Sequence, residues 1–196
     1  MRYMLATANP GKVKEIRELL SGTGIEIVTR EDCGIDIDVE ETGMTFFENA
    51  KLKAEAICTA SGMPSIADDS GLIVDALSGE PGVYTSSFGG EELTAGERCV
   101  FLLNKMGNTE HRSAKFVCTI VCAFPDGSLL SADGECHGTI AAGLHGTGGF
   151  GYDPVFIPDG KTATMAELLP DEKNEISHRG KALRSFLELL KSRCQI

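Results

Sequence analysis

Two adjacent carboxylates, Asp68 and Asp69, interrupt an apolar run. Pro64-Ser65-Ile66-Ala67 precedes them, and Leu72-Ile73-Val74 follows Ser70-Gly71. The pattern reads as a buried strand that delivers acid groups to the edge of a sheet, where open α/β folds place ligand chemistry. A surface turn is the plain alternative, because Asp, Ser and Gly are ordinary turn residues. Neighbouring strand residues point to opposite faces, so Asp68 and Asp69 are expected to do different jobs. A second acidic run, Asp36 to Glu41, ends in Glu40-Glu41. Alone, such a run is a solvated face. With Asp69, either glutamate could complete the oxygen ligands of a hard cation such as Mg2+, which takes one or two carboxylates, waters and substrate phosphates.

Positive charge is concentrated in few places. Thr7-Ala8-Asn9-Pro10-Gly11-Lys12 lies between a short strand and a helix. Proline suits the first helical turn, and the free N–H groups of that turn, with the helix dipole, favour an anion. Lys12 adds a full charge, although the spacing is not that of a P-loop. Lys53, Lys173, His178 and Arg179 are the other donors placed to meet a small anionic or carbonyl-bearing ligand. Gly146-Thr147-Gly148-Gly149-Phe150-Gly151-Tyr152-Asp153-Pro154 sets aromatic rings among glycines. That composition lets backbone approach a ligand and offers Phe150 as a flat face for a base. A hairpin with its rings in the core is the ordinary alternative. His111, His137 and His145 show no metal spacing, and no nucleophile elbow accompanies the serines.

The elements that must carry these groups alternate in the first half. A strand is predicted over 3–7, a helix over 12–20 with Val13, Ile16, Leu19 and Leu20 on one face, and a strand over 25–29. Thr45 and Glu48 form a capping box for a helix that buries Phe47, Ala50, Ala54 and Ile57 and ends at Gly62. Thr94 and Glu97 form another, opening a helix to about Met106. Residues 115–124 and 128–136 are β-rich and joined by Pro125-Asp126-Gly127, a hairpin signal. A short strand follows at 155–157. Ser177 caps a last helix with Leu183, Phe186, Leu187 and Leu190 in register. The expectation is a mixed α/β fold in one domain spanning 1–196, with no sharp linker.

Composition sets the outer limits. With 196 residues, 42% hydrophobic and 24% charged, the chain can bury a sizeable core. A net charge of −11 argues against broad nucleic-acid binding. No stretch suits a membrane span and the N-terminus has no signal-peptide layout. Seven scattered cysteines without a CxxC pair are expected to be reduced thiols in a cytoplasmic protein.

Five motifs occur in one order: Thr7-x-Asn9-x-x-Lys12; Glu40-Glu41-Thr42-Gly43 before Glu48-Asn49-Ala50; Ala67-Asp68-Asp69-Ser70-Gly71-Leu72; Gly148-Gly149-Phe150-Gly151-Tyr152-Asp153-Pro154; and Ser177-His178-Arg179. This set closely resembles the non-canonical purine NTP pyrophosphatase family, the inosine/xanthosine triphosphatases, over nearly the whole chain. The resemblance implies Mg2+-dependent hydrolysis of ITP, dITP and XTP to monophosphate and pyrophosphate by a homodimer. It also implies a mixed central β-sheet flanked by helices, in two lobes with a nucleotide cleft between them. Position by position, it implies Asp69 as the general base and Glu40 with Asp69 as the metal site. Thr7, Ala8, Asn9, Pro10, Gly11 and Lys12 would form the triphosphate loop, with Lys53 as a phosphate contact, and Ser70 would contact substrate. Phe150, Gly151, Tyr152 and Asp153 would serve the base and sugar, and Lys173, His178 and Arg179 would read the base. Ser87 stands where the family commonly has arginine. A related Maf-type pyrophosphatase, or a nucleotide-binding regulator without turnover, are the rival readings.

Overall fold

The computed structural model describes residues 2–194. Six strands form one mixed sheet in the order β2-β1-β3-β4-β5-β6. They are β1 (Arg2–Leu5), β2 (Glu26–Thr29), β3 (Ser65–Val74), β4 (Ser113–Ala123), β5 (Leu129–Ile140) and β6 (Phe156–Pro158). Five α-helices accompany them among the described residues: α1 (Pro10–Leu20), α2 (Phe46–Ser61), α3 (Ala95–Met106), α4 (Pro170–Ile176) and α5 (His178–Cys194). β1 pairs in parallel with β2 and β3, and β6 pairs antiparallel with β5. The mixed α/β architecture expected from the residue pattern is therefore present. The chain divides into two compact units: 1–69, 118–134 and 179–196 in the first, and 70–117 with 135–178 in the second.

The first unit packs helices on both faces of its strands. Tyr3, Leu5, Ile66, Cys118, Ile120 and Cys122 meet Ile16 and Leu20 of α1 and Leu183, Phe186 and Leu190 of α5. Met4, Ala67, Val121 and Ala123 meet Ala50, Ala54, Ile57 and Cys58 of α2. The period-two alternation of the strands produces this sorting: odd and even residues of β1 and β4 feed different helices. The face of α2 seen by the sheet begins with Asn49 and Ala50, so Phe47 is 41% exposed rather than buried as the periodicity suggested. The first turn of α2 instead holds the incoming loop. Glu48 accepts from the N–H groups of Met44 and Thr45, and Thr45 Oγ1 accepts from Glu48 N.

In the second unit one apolar cluster gathers Leu72 and Val74 of β3, Cys99, Leu102 and Met106 of α3, Phe116 of β4, Cys136 and Ile140 of β5, and Tyr152, Val155, Phe156 and Met165. The capping box of Thr94 and Glu97 opens α3 as the sequence indicated. The hairpin turn after β4, which belongs to the first unit, closes with Phe124 N donating to Ser128 O at 3.0 Å.

One expectation changes. The carboxylates do not end a strand; β3 runs unbroken through them for 10 residues. They stand beyond the reach of β1, whose last paired residues are Met4 with Ser65 and Leu5 with Ile66.

Among the residues whose side chains are described, six cysteines are free, and of these only Cys33 is exposed. Burial raises the thiols of Cys99 to about 11 and Cys118 to about 12. With a thiol-alkylating reagent at pH 8, peptide mapping should find Cys33 labelled in the native protein and Cys99 and Cys118 labelled only after denaturation.

Candidate active site

The alternation of β3 assigns its two acids to different helices. Asp68 shares the face of Ile66, toward α1 and α5; Asp69 shares the face of Ala67, toward α2. The side chain of Asp68 is fully buried. Its Oδ2 takes Lys12 Nζ at 3.0 Å and accepts from Arg179 Nε and Nη2 at 3.2 Å each, with Cys118 Sγ at 4.0 Å. Arg179 Nη1 in turn donates to Glu15 of α1. Burial would raise the Asp68 carboxyl, but Lys12, Arg179 and Lys53 outweigh it and hold the group well below the usual carboxylate range. Two cations and two carboxylates thus balance inside the unit. Asp68 Oδ1 is buried without a hydrogen-bond partner among the described residues. An orphan of this kind costs about 1–3 kcal/mol, so the network is not optimised for stability alone.

Asp69 has the opposite character. Asn49 Nδ2 donates to its Oδ2 at 3.3 Å and Lys53 Nζ reaches its Oδ1 at 3.3 Å. Burial pushes its carboxyl above the ordinary range and Glu41 adds to this, against the pull of Lys53 and Lys12. Asn49 and Lys53 lie four apart on α2 and so share one face. Lys53 also contacts Glu41 at 3.0 Å. The loop bearing Glu41 is fixed by Gly43, whose N–H donates to Asn49 Oδ1 at 2.7 Å. A Cβ at Gly43 would sit 2.6 Å from that oxygen, so only glycine permits the approach.

Of the two glutamates, the structure brings Glu41 to Lys53 and Asp69. Glu40 is exposed, and its backbone carbonyl accepts from Thr42 N at 3.1 Å. The donor set fits a hard cation in kind: Asp69 and Glu41 are oxygen ligands already sharing one positive group, Lys53. No group of three or more His, Cys, Asp or Glu residues able to hold a metal occurs among the described residues, so phosphate and water would have to complete any coordination.

The Thr7–Lys12 loop opens α1, but its N–H groups are not vacant as the sequence suggested. Asn9 Oδ1 accepts from Gly11 N at 2.9 Å and Lys12 N at 3.3 Å, and Thr7 Oγ1 accepts from Asn9 N. Pro10 occupies the first turn. Ala8 is exposed, and the Lys12 ammonium is the charge this loop presents.

In the second unit, Asp153 Oδ2 organises the glycine-rich loop. It accepts from Phe150 N at 2.7 Å and pairs with Lys173 Nζ at 2.6 Å. That ammonium lies 4.9 Å from the centre of the Phe150 ring. Cys99 Sγ donates to Gly151 O at 3.4 Å. Tyr152 belongs to the core: its ring is buried and its hydroxyl donates to Thr85 O at 3.1 Å. His178 stacks on Phe116 with centroids 4.7 Å apart. Ser70 is half-buried on β3, directly after Asp69. Ser87 makes a local turn contact, its hydroxyl donating to Tyr84 O at 3.4 Å.

Of the residues the sequence singled out, the structure brings Lys12, Lys53 and Asp69 together in one unit, and Phe150, Asp153 and Lys173 together in the other. Sequence reasoning placed Arg179 with the base readers, whereas the guanidinium is held on Asp68 and Glu15. Asp68, Glu15 and Asn49 received no role. The i,i+3 spacing of Lys12 and Glu15 and the i,i+4 spacing of Asn49 and Lys53 were the available signals.

The Ham1 family model matches residues 3–189. The chain belongs to the Ham1 family. It is 48% identical to a dITP/XTP pyrophosphatase of Aquifex aeolicus, over 98% of each protein. It is 47% identical to one of Thermus thermophilus, over 97% of this chain and 92% of that one. The solved Ham1 protein of Staphylococcus aureus superposes with a TM-score of 0.89 at 40% identity, covering 98% of this chain and all of the other. The Ham1 protein of Coxiella burnetii gives the same score at 38% identity, over 98% of this chain and 99% of its own.

Gly149, at φ +69°, offers a test of the loop. A Cβ there would fall 2.0 Å from Asp153 Oδ2. Gly149→Ala should displace that carboxylate from Lys173 and Phe150 N and lower stability by about 1–3 kcal/mol, measured by urea denaturation.

Proposed function

We propose that this Ham1 protein hydrolyses deaminated purine nucleoside triphosphates, dITP, ITP and XTP, to the monophosphate and pyrophosphate. The observation that carries the reading is Asp69: a buried carboxylate, raised by its surroundings and braced by Asn49 and Lys53, in a chain whose relatives are named for this activity. A base of this kind can take a proton from an attacking water more readily than an exposed aspartate, because its carboxylate form is less stabilised. Lys12 and Lys53 provide positive charge for the phosphate oxygens on which charge develops.

Thr7, Ala8, Asn9, Pro10, Gly11, Lys12 and Lys53 are proposed as triphosphate contacts. Phe150, with Gly151 and Asp153, is proposed for the base and sugar, and Ser70 as a further substrate contact. Lys173 and His178 supply donors for a 6-keto oxygen. The 6-amino group of adenine would leave such donors unpaired at about 1–3 kcal/mol each, which separates the deaminated base from adenine. Arg179, whose guanidinium is held by Asp68 and Glu15, is not assigned to the base. Mg2+ is the proposed cofactor, held by Asp69 with Glu41 in place of the Glu40 expected from the motif. When bound, it would neutralise phosphate charge and acidify water. We further propose that the protein works as a cytoplasmic homodimer without nucleic-acid or membrane partners.

The test is pyrophosphate release from dITP, XTP, ATP, GTP and dTTP with and without Mg2+. Turnover of dITP and XTP should exceed that of ATP, stop on chelation and fall about 10²–10⁴-fold in Asp69→Asn. Orthophosphate as the product, or an Asp69→Asn variant of full activity, would overturn the assignment. Light scattering at assay concentration checks the dimer.

A further inference from the structure

The acid of β3 that the proposed chemistry does not use, Asp68, is more completely enclosed than the one it does. Its side chain is wholly buried between α1 and α5, and every polar contact it makes is to a group of opposite charge or a thiol. A buried carboxylate serving only to neutralise Lys12 would need no second cation. Arg179 nevertheless gives it two further N–H donors, and Glu15 balances Arg179 from the same face of α1 that carries Lys12. Should Lys12 move from Asp68 to a phosphate oxygen, Asp68 would keep both guanidinium bonds and Arg179 would keep Glu15. No bare charge is left behind in either position of Lys12.

We propose that Asp68 is a positioning residue: backed by Arg179 and Glu15, it holds the Lys12 ammonium at the mouth of the triphosphate loop, ready to transfer to the substrate's phosphate oxygens. The inference rests on the proposed reading of Lys12 as a phosphate contact. It differs from simple charge neutralisation in the sign of a kinetic effect. An anion that only competes for Lys12 weakens substrate binding, so its removal should lower KM and leave kcat alone. An anion that orients Lys12 sets its placement in the transition state, so its removal should lower kcat.

The experiment measures kcat and KM for dITP in wild type, Asp68→Asn, Lys12→Ala and the double variant, with circular dichroism confirming each fold. Asp68→Asn should lower kcat roughly 10- to 100-fold with KM unchanged or reduced. In the Lys12→Ala background the same substitution should cost less than about threefold, because its target is gone. An unchanged kcat in Asp68→Asn, or losses that multiply in the double variant, would overturn the inference. If Asp68→Asn does not fold, Arg179→Lys, which removes a donor from Asp68 but keeps the charge, is read in the same cycle with Lys12→Ala. It should then show the same non-multiplying loss of kcat, and multiplying losses overturn the proposal. Absence of pyrophosphate release by the wild type would instead remove the functional reading on which the inference stands.

Discussion

Everything at the candidate site follows from the alternation of one strand. Residues 68 and 69 of β3 are chemically identical, yet the pleat sends one between α1 and α5 and the other toward α2. Two cations meet the first and hold its carboxyl well below the usual range. Burial raises the proton affinity of the second, and a neighbouring carboxylate adds to it, against the pull of a lysine and an amide. A single strand thereby carries one carboxylate held toward its charged form and, one residue on, another shifted toward its protonated form. The same pattern, two like acids driven apart by their surroundings, marks acid–base sites generally.

Helices supply what the strand cannot. α1 contributes Lys12 and Glu15 from one face, and α2 contributes Asn49 and Lys53 from one face. Each pair lies three or four residues apart, the spacing at which helical side chains stand side by side. The apolar residues of these helices pin them to the sheet, and the polar pairs follow from the same registration. In the second unit a loop does comparable work with one carboxylate, Asp153, that receives both a backbone N–H and a buried ammonium.

Much of this was legible in the residues. The capping boxes at Thr45 and Thr94, the turn at Asp126-Gly127 and the periodicity of α5 are local signals, and local physics honours them. The opposite roles of Asp68 and Asp69 follow from strand geometry alone. What could not be read were pairings across long separations. Arg179 lies 111 residues from Asp68, and nothing near it in sequence distinguishes a buried counter-ion from a ligand donor. The continuity of β3 was hidden for the same reason: two carboxylates look like a strand end until their distant cations are known. The self-satisfied start of α1 was missed because Asn9 was read as part of an anion loop, although asparagine is also a preferred helix cap. Glu40 and Glu41 are separated only by the path of the loop that Gly43 ties to α2.

Asn49 carries a consequence of its own. Its amide is read from both ends: the oxygen receives the Gly43 N–H and the nitrogen faces the carboxylate of Asp69. That orientation admits no flip, since reversal would set oxygen against oxygen on one side and hydrogen against hydrogen on the other. The loop bearing Glu41 and the strand bearing Asp69 are therefore joined through three atoms of one side chain. Replacing its NH2 by oxygen, as slow hydrolysis of the amide would do, sets a new negative charge beside Asp69 and turns a tether into a wedge.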